Sequence, residues 1–214
     1  MLKKILMCVL VHSSFLSAQN NTITLQSYEA NIQAYIDGTP QIVGGEMQAW
    51  LDTALGYISK ESLIFEIGSG FGRDASYMQC CGYQVQTSDA TQNFVQLLRT
   101  AGFDCYNFNV LTDVFARQYD MIYANAVFLH IAPVDLAVVL DKIHGALRTG
   151  GVLAFSVKNG TGEGWSYEKL NAPRYFYYWQ ADAMQTFLLA RGFEVVFLKL
   201  DTTQKWLYVI AKKS

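Results

Sequence analysis

The sequence predicts an α/β fold: a doubly wound, seven-stranded, mostly parallel sheet that ends in a C-terminal antiparallel hairpin. From residue 62 onward, short apolar runs alternate with segments of helical periodicity, the pattern of parallel strands joined by crossover helices. The first run leads into the glycine-rich stretch FEIGSGFGRDA at residues 65–75, which indicates a tight strand-to-helix turn. The last two runs lie too close together for a crossover helix, so they must pair antiparallel.

Two helices are predicted ahead of the sheet. Apolar residues recur at helical spacing in TLQSYEANIQAYIDGTP, and its final glycine and proline end the first helix. A second helix is predicted over residues 45–58, where the apolar side chains fall on one side. We therefore expect a helical leader, residues 22–60, ahead of one main domain, residues 61–214.

The main domain is predicted to contain five strand–helix units followed by the final strand pair. Strands are expected at residues 62–67, 83–87, 103–108, 119–124, 152–157, 193–200 and 205–211. Helices are expected at residues 72–81, 91–101, 133–147 and 181–191. Pro133 suits a first helical turn, where its missing N–H group is not needed. Residues 158–180 form a glycine- and aromatic-rich segment that can fold over the carboxyl edge of the sheet.

Composition limits the possible partners. The chain has 214 residues, is 51% hydrophobic and carries a net charge of −2, which suits one globular domain with a sizeable core. A nucleic-acid partner is not indicated, although a local basic patch is not excluded. The four cysteines have no zinc-type spacing, so we expect no metal site and reduced thiols.

The glycine loop favours a cofactor without phosphates. The dinucleotide fingerprint needs a third glycine where this chain has Arg73, and the pattern here places Glu66 two residues before Gly68. A carboxylate at this position would repel a pyrophosphate, and it suits a positively charged ligand. S-Adenosylmethionine has a sulfonium, an amino group and a ribose diol, and it has no phosphate.

The predicted cofactor site includes two further acids. Asp89, 21 residues after Gly68, follows the second strand and can accept hydrogen bonds from both ribose hydroxyls. Asp74 is either a favourable charge in the first turn of a helix or a ligand contact. The predicted cofactor-binding residues are Glu66, Gly68, Ser69, Gly70, Gly72, Asp74, Asp89, Ala90, Asn109, Val110 and Asn125.

Several stretches resemble the class I S-adenosylmethionine-dependent methyltransferases. The stretches similar to their cofactor motifs and to their fourth- and fifth-strand regions are FEIGSGFGRDASYMQCCGYQVQTSDAT, YDMIYANAVFLHIAP and LRTGGVLAFSVKNGTGEG. The tail RYFYYWQADAMQTFLLARGFEVV is similar to small bacterial members, including the tellurite-resistance-type branch. The resemblance implies a Rossmann-like methyltransferase fold, S-adenosylmethionine as the cofactor and methyl transfer as the reaction. Where the family has Asp near the adenine, this chain offers Asn107 and Asn109.

Three residues are candidates for catalysis. His130 follows the fourth strand, and a neutral imidazole there can accept a proton from a hydroxyl or amine; alternatively it packs at the rim of the cofactor or fixes a loop. Arg174, with Tyr175 beside it, lies among aromatic residues and can clamp an anionic or planar substrate; alternatively Arg174 pairs with Glu163. Tyrosines of the leader can cap the cofactor from the other side.

These observations predict methyl transfer to a small-molecule acceptor. The alternatives are an RNA or protein methyltransferase and a non-catalytic binding protein that keeps the fold. Residues 1–21 are predicted as an N-terminal extension; their two lysines and short apolar run are similar to a secretory signal, and a mis-called start codon would also explain them. Because the expected cofactor is held in the cytosol, we expect a cytoplasmic monomer or homodimer without a membrane partner.

Overall fold

The computed structural model describes residues 19–214, so the signal-like pattern of the predicted extension lies outside the described residues. Three helices precede the sheet: α1 covers residues 19–30, α2 covers Ile32–Asp37 and α3 covers Gly45–Leu55. The single first helix that the sequence predicts is thus divided at Asn31. The side-chain amide of Asn31 donates to the Ser27 carbonyl at 2.9 Å, and its backbone N–H turns to Tyr28 instead.

The remaining elements follow in the predicted order. The strands are β1 Leu63–Ile67, β2 Gln84–Asp89, β3 Cys105–Asn107, β4 Tyr119–Asn125, β5 Leu147–Lys158, β6 Glu163–Ser166, β7 Arg174–Tyr177, β8 Phe193–Leu200 and β9 Trp206–Lys213. The helices are α4 Arg73–Cys80, α5 Gln92–Thr100, α6 Pro133–Ala146 and α7 Ala181–Leu189, with a short 3₁₀ helix at Phe128–His130.

Seven strands form one sheet in the order β3-β2-β1-β4-β5-β9-β8. Strand β1 pairs parallel with β2 on one side and with β4 on the other. Strand β9 is the reversed strand of this sheet, because it pairs antiparallel with both β5 and β8. The predicted doubly wound sheet with a C-terminal antiparallel hairpin is therefore confirmed. The strand order reverses around β1, and in such sheets ligands bind at the carboxyl ends of the strands beside this reversal.

Two connections differ from the prediction. Residues 108–118 join β3 to β4 through turns, so the expectation of five strand–helix units is wrong at this position. The Asn109 carbonyl accepts N–H bonds from both Thr112 and Asp113, which closes a single turn before Phe115 packs against Phe108. Residues 158–180 contain the β6–β7 hairpin, in which Trp165 lies opposite Tyr175. Its four-residue strands are too short to give a clear alternation in the sequence.

The helical leader is anchored on the sheet through Trp50 of α3. Its ring is 2% exposed and stacks on Tyr123 of β4 and Tyr208 of β9, with centroid distances of 5.3 and 5.0 Å. Its indole N–H donates to the Val209 carbonyl at 3.2 Å. The apolar residues of β1, β4 and β5 alternate between this face and the opposite one, which α6 and α7 cover. The leader therefore shares one core with the sheet.

Candidate active site

Two cavities lie at the carboxyl edge of the sheet, beside the strand reversal. The inner cavity, about 100 Å³, is lined by the ends of β2 and β3 and by α1, and it includes Asp89, Ala90, Asn109 and Val110. The outer cavity, about 710 Å³, lies between the loop after β1 and the β6–β7 hairpin. Six residues line both cavities and are here called the junction: Tyr28, Tyr35, Gly68, Asn125, Ala126 and His130.

The loop after β1 is possible only with glycine at its closest approaches. Gly68 has a φ of +68°, and a Cβ atom there would lie 2.6 Å from a methyl group of Val127. Gly70 has a φ of +57°, and its Cβ would lie 3.3 Å from the Tyr35 ring. Both backbone conformations disfavour other L residues. The predicted Gly72 lies two residues after Gly70, directly precedes α4 and lines neither cavity. The loop thus presents bare backbone to both cavities.

Asp89 is held in a fixed orientation in the inner cavity. Its Oδ2 accepts the Gly70 N–H at 3.0 Å and its Oδ1 accepts the Thr91 N–H at 2.8 Å. Burial raises the pKa of its carboxyl group, and these two backbone bonds oppose that rise. The Thr91 side chain also hydrogen-bonds this carboxylate, which still keeps acceptor capacity for a ligand. Asp89 is therefore placed to accept a pair of hydroxyl groups from a ligand.

Glu66 is a buried carboxyl group with an unsatisfied oxygen. Its side chain lines the outer cavity, it is only 2% exposed, and its Oε2 has no hydrogen-bond partner among the described residues. Burial, followed by the charge of Asp74 and a smaller effect of Asp89, raises the pKa of Glu66 to about 8. An orphaned buried carboxyl oxygen is costly, and a ligand that brings a positive donor would relieve that cost.

Asp74 serves to position Asn125. It lies in the first turn of α4 and accepts hydrogen bonds from Arg73 Nε at 2.6 Å, the Tyr123 hydroxyl at 3.0 Å and Asn125 Nδ2 at 2.8 Å. The Asn125 oxygen in turn accepts the Ser156 hydroxyl at 2.6 Å. This network fixes the Asn125 amide at the junction. Asp74 lies in the first turn of α4, as the first of its two predicted alternatives requires, and its oxygens are engaged by donors of the protein.

His130 is fixed in one neutral tautomer at the junction. Its Nδ1 lies 2.6 Å from the Tyr175 carbonyl, which can only accept, so Nδ1 carries the proton. Its Nε2 lies 2.9 Å from the Tyr28 hydroxyl and accepts from it. Burial lowers the pKa of His130 to about 4, with a smaller contribution from the charge of Arg174. The imidazole is therefore neutral at physiological pH, and the lone pair on its Nε2 accepts the Tyr28 hydroxyl.

Arg174 lines the outer cavity, whereas Tyr175 does not line either cavity. The Arg174 side chain is buried, and its guanidinium carbon lies 5.2 Å from the centroid of the Phe176 ring. The proposed alternative pairing of Arg174 with Glu163 is not formed, because Glu163 accepts the Tyr175 hydroxyl at 2.6 Å. This bond directs the Tyr175 side chain away from the site. Tyr175 thus contributes its backbone carbonyl to His130, which corrects its assignment as a catalytic candidate.

The other predicted residues divide between the cavities and their support. Ser69 lines the outer cavity, and its hydroxyl accepts the Ser88 N–H at 3.2 Å. Asn109 lines the inner cavity, and its side-chain amide donates to the Asn21 side chain of α1 at 3.1 Å. Asn107 lines neither cavity, and its side-chain amide donates to the backbone carbonyl of Asp89. Sequence reasoning missed Lys158 and Lys169, which line the outer cavity. Lys158 could be predicted as a site residue because it ends β5, at the carboxyl edge of the sheet. Nothing in the sequence identifies Lys169 as a site residue.

Residues 19–214 contain neither a candidate metal site nor a helix that could span a membrane. No group of three or more His, Cys, Asp or Glu side chains could hold a metal ion there. Within the same range, every helix is too short or too polar to cross a membrane.

Comparisons with known proteins identify the family. A family model described as a methyltransferase domain matches residues 41–198, most of the chain. A comparison with curated proteins gives no match. The structure is similar to 1,6-didemethyltoxoflavin-N1-methyltransferase from Burkholderia thailandensis, solved with 1,6-didemethyltoxoflavin and S-adenosylhomocysteine, with 18% identity, a TM-score of 0.64 and coverage of 97% of this chain and 88% of that one.

Two further solved structures have the same fold. Magnesium protoporphyrin IX methyltransferase from Synechocystis, solved with S-adenosylmethionine, has 12% identity and a TM-score of 0.69, with coverage of 91% of this chain and 97% of that one. TehB from Haemophilus influenzae has 15% identity and a TM-score of 0.61, with coverage of 78% of this chain and 62% of that one.

The residues at the two cavities fit S-adenosylmethionine. The orphaned oxygen of Glu66 matches an ammonium group, and the oriented carboxylate of Asp89 matches a ribose diol. The bare backbone at Gly68 and Gly70 leaves space where any Cβ atom would clash or crowd. The predictions of the Rossmann-like fold, the enzyme class and the cofactor are confirmed. The chain belongs to the methyltransferase domain family and is an S-adenosylmethionine-dependent methyltransferase.

Proposed function

We propose that this enzyme methylates a small-molecule acceptor held in the outer cavity, with the reacting atoms at the junction. The observation that carries the proposal is that six residues line both cavities, so a ligand in one cavity can meet a ligand in the other. S-Adenosylmethionine supplies an electrophilic methyl group on a positive sulfur, which becomes a neutral thioether when an acceptor atom donates an electron pair to the methyl carbon. The protein contributes positioning and the exclusion of water.

The amino group, the ribose and the adenine of the cofactor each have a matching surface in this proposal. Glu66 binds the amino group from the outer cavity, and Asp89 binds the ribose hydroxyls from the inner cavity. Ala90, Asn109 and Val110 border the space left for the adenine. Asn125, whose side-chain amide donates to Asp74, lies at the junction between the inner and outer cavities.

The inner cavity must widen to admit an adenosine group. Its volume of about 100 Å³ is below the roughly 300 Å³ at which small-molecule sites begin. Helix α1 forms its outer wall through Thr24, Leu25 and Tyr28. We infer that α1 is displaced outward when the cofactor binds.

Tyr28 and His130 form the proton acceptor of the proposed mechanism. A hydroxyl or amine acceptor would give its proton to the Tyr28 oxygen, while the Tyr28 proton passes to His130 Nε2 over the existing 2.9 Å hydrogen bond. The Tyr175 carbonyl would stabilise the resulting imidazolium, because it already accepts from Nδ1. An acceptor that is already ionised would need no such transfer.

The size and enclosure of the outer cavity support a small molecule over RNA or protein. Its volume of about 710 Å³ lies within the roughly 300–1,000 Å³ typical of small-molecule sites. The β6–β7 hairpin covers one side through Ser166, Arg174 and Phe176. The chain as a whole carries a net charge of −2, which does not favour a phosphate backbone.

The acceptor class is tested by following a labelled methyl group. With S-adenosylmethionine labelled in its methyl carbon, the wild-type protein is expected to transfer label to a low-molecular-mass metabolite extract. Asp89→Ala is expected to abolish transfer, since the ribose contact is lost. Label found only in tRNA or in protein added to parallel reactions would contradict the small-molecule assignment.

The Glu66 carboxyl is expected to make cofactor binding depend on pH. An ammonium group binds the ionised carboxylate, yet Glu66 is largely protonated below its pKa of about 8. The affinity for S-adenosylhomocysteine, measured by calorimetry, should therefore rise by up to about tenfold per pH unit between about pH 6 and pH 8. Glu66→Gln should bind more weakly at pH 8 and show a nearly flat profile. Identical profiles for both proteins would contradict the assignment.

The same carboxyl should lower stability in alkali. Its pKa in the folded protein, about 8, exceeds the unfolded value of 4.5, so the folded state binds the proton more tightly. The stabilisation that this group gives is therefore fully present below about pH 4.5 and is lost progressively as the pH rises to about 8. In urea unfolding, Glu66→Gln should be more stable than wild type at about pH 9, and this advantage should shrink as the pH falls and disappear near about pH 4.5. A variant that is less stable at both values would indicate a structural role only.

His130 is expected to stay neutral, with its proton on Nδ1, from about pH 5.5 to pH 8, because burial places its pKa at about 4. Nitrogen-15 NMR of labelled histidine reports both the charge and the tautomer. Tyr28→Phe should shift the Nε2 resonance by removing its hydrogen bond, whereas Tyr35→Phe, at the same junction, should not. A His130 that titrates near pH 6.5, or that is protonated on Nε2, would exclude the proposed proton path.

A further inference from the structure

The outer cavity carries more positive than negative side chains. Those that line it are Arg73, Lys158, Lys169, Arg174 and Lys205 on the positive side and Glu66, Asp74 and Glu168 on the negative side. Arg73 is paired with Asp74 at 2.6 Å, and the proposed function assigns Glu66 to the cofactor. Only Glu168, which is exposed, remains for four cations. The sulfonium and the carboxylate of the bound cofactor would offset each other and leave this excess of positive charge in place.

Arg174 is the most buried of these cations. It is 6% exposed, no carboxylate among the described residues lies within 4.0 Å of its guanidinium, and its Nε has no hydrogen-bond partner there. Its nearest polar contact is the Tyr28 hydroxyl, at 3.4 Å from Nη1. The rings of Phe176 and Tyr28, with centroids 5.2 and 5.8 Å from its guanidinium carbon, hold it in place. A buried charge without a counter-ion is costly unless a ligand supplies one.

The neighbouring lysines reflect this concentration of positive charge. Burial, followed by repulsion from the charges of Arg174, Arg73 and Lys158, lowers the pKa of Lys169 to about 8. The pKa of Lys158 is also lowered, by burial and then by the charge of Lys205. Lys158 Nζ lies 4.0 Å above the Trp206 ring. These cations line one cavity and repel one another, so an anion bound there would relieve their repulsion.

Aromatic rings form the walls between these charges. Phe176 and Tyr178 are nearly parallel, with an interplanar angle of 23° and a centroid distance of 6.3 Å, and both line the outer cavity. Trp206 and Tyr208 line it from β9. Flat aromatic surfaces favour a planar organic ligand over a small inorganic ion.

We propose that the methyl acceptor is a planar organic anion whose negative group pairs with Arg174, supported by Lys158. This inference rests on the proposed function, in which the outer cavity holds the acceptor. Arg174 is then a specificity-determining residue that binds the acceptor beside the Tyr28–His130 pair. The guanidinium presents paired N–H donors that match a carboxylate or sulfonate.

A matched pair of fluorescent probes tests this proposal without the natural acceptor. The anion 1-anilinonaphthalene-8-sulfonate and the neutral N-phenyl-1-naphthylamine share one planar skeleton and differ in the sulfonate. Full-length protein saturated with S-adenosylhomocysteine is expected to bind the anionic probe saturably. Arg174→Met should weaken that binding by about tenfold or more, with a smaller loss in Lys158→Met and partial recovery in Arg174→Lys. Binding of the neutral probe should change less than about twofold.

Controls separate this inference from the proposed function. Arg117→Met removes an exposed cation away from both cavities and should leave both probes unaffected. The affinity for S-adenosylhomocysteine should be unchanged in Arg174→Met; a parallel loss would mean that Arg174 serves the carboxylate of the cofactor and would overturn the proposal. Absence of saturable binding of the anionic probe, or an equal loss of binding for both probes, would also overturn the proposal. In either case, normal binding of S-adenosylhomocysteine would leave the proposed function intact. Should Arg174→Met not fold, Lys158→Met carries the same comparison.

Discussion

The site depends on a buried carboxyl group that its own protein leaves unsatisfied. Glu66, at the carboxyl end of β1, shares a desolvated edge of the sheet with Asp74 and Asp89. Asp74 and Asp89 are neutralised or bonded by donors from the protein, whereas one oxygen of Glu66 has no partner among the described residues. Such an arrangement costs stability in the free protein. It becomes favourable when a ligand delivers a positive group to this edge, which is the property that the cofactor brings.

The two walls of the site are mechanically connected through α1. The Ser27 hydroxyl donates to the Pro173 carbonyl at 2.6 Å, and Thr24 accepts the Tyr175 N–H at 3.0 Å, so α1 is bonded to the strand that carries Arg174. Tyr28, on the same helix, touches both His130 and Arg174. A movement of α1 that admits the cofactor would therefore also move the acceptor wall. Cofactor binding and acceptor binding are coupled by these contacts in the proposed mechanism.

The sequence was sufficient for features that depend on local pattern. The mostly parallel sheet with its C-terminal hairpin and the glycine loop after β1 follow from periodicity and from residue types that tolerate few alternatives. The side-chain partners were not accessible in this way. Tyr175 was grouped with Arg174 because the two are adjacent, yet alternation along β7 directs its hydroxyl to Glu163 on the other side. Lys169 reaches the cavity because the segment 158–180 folds back over the sheet; the sequence predicts that fold-back, but no local pattern distinguishes this lysine from its neighbours.

The central claim, that Glu66 is protonated in the free enzyme and becomes ionised against the cofactor, can be observed directly by infrared difference spectroscopy. At about pH 7, addition of S-adenosylhomocysteine to the wild-type protein should remove the carbonyl band of a protonated carboxylic acid and add the bands of a carboxylate. Neither change should occur in Glu66→Gln. An unchanged acid band in the wild type, or the same difference spectrum in the variant, would contradict the claim.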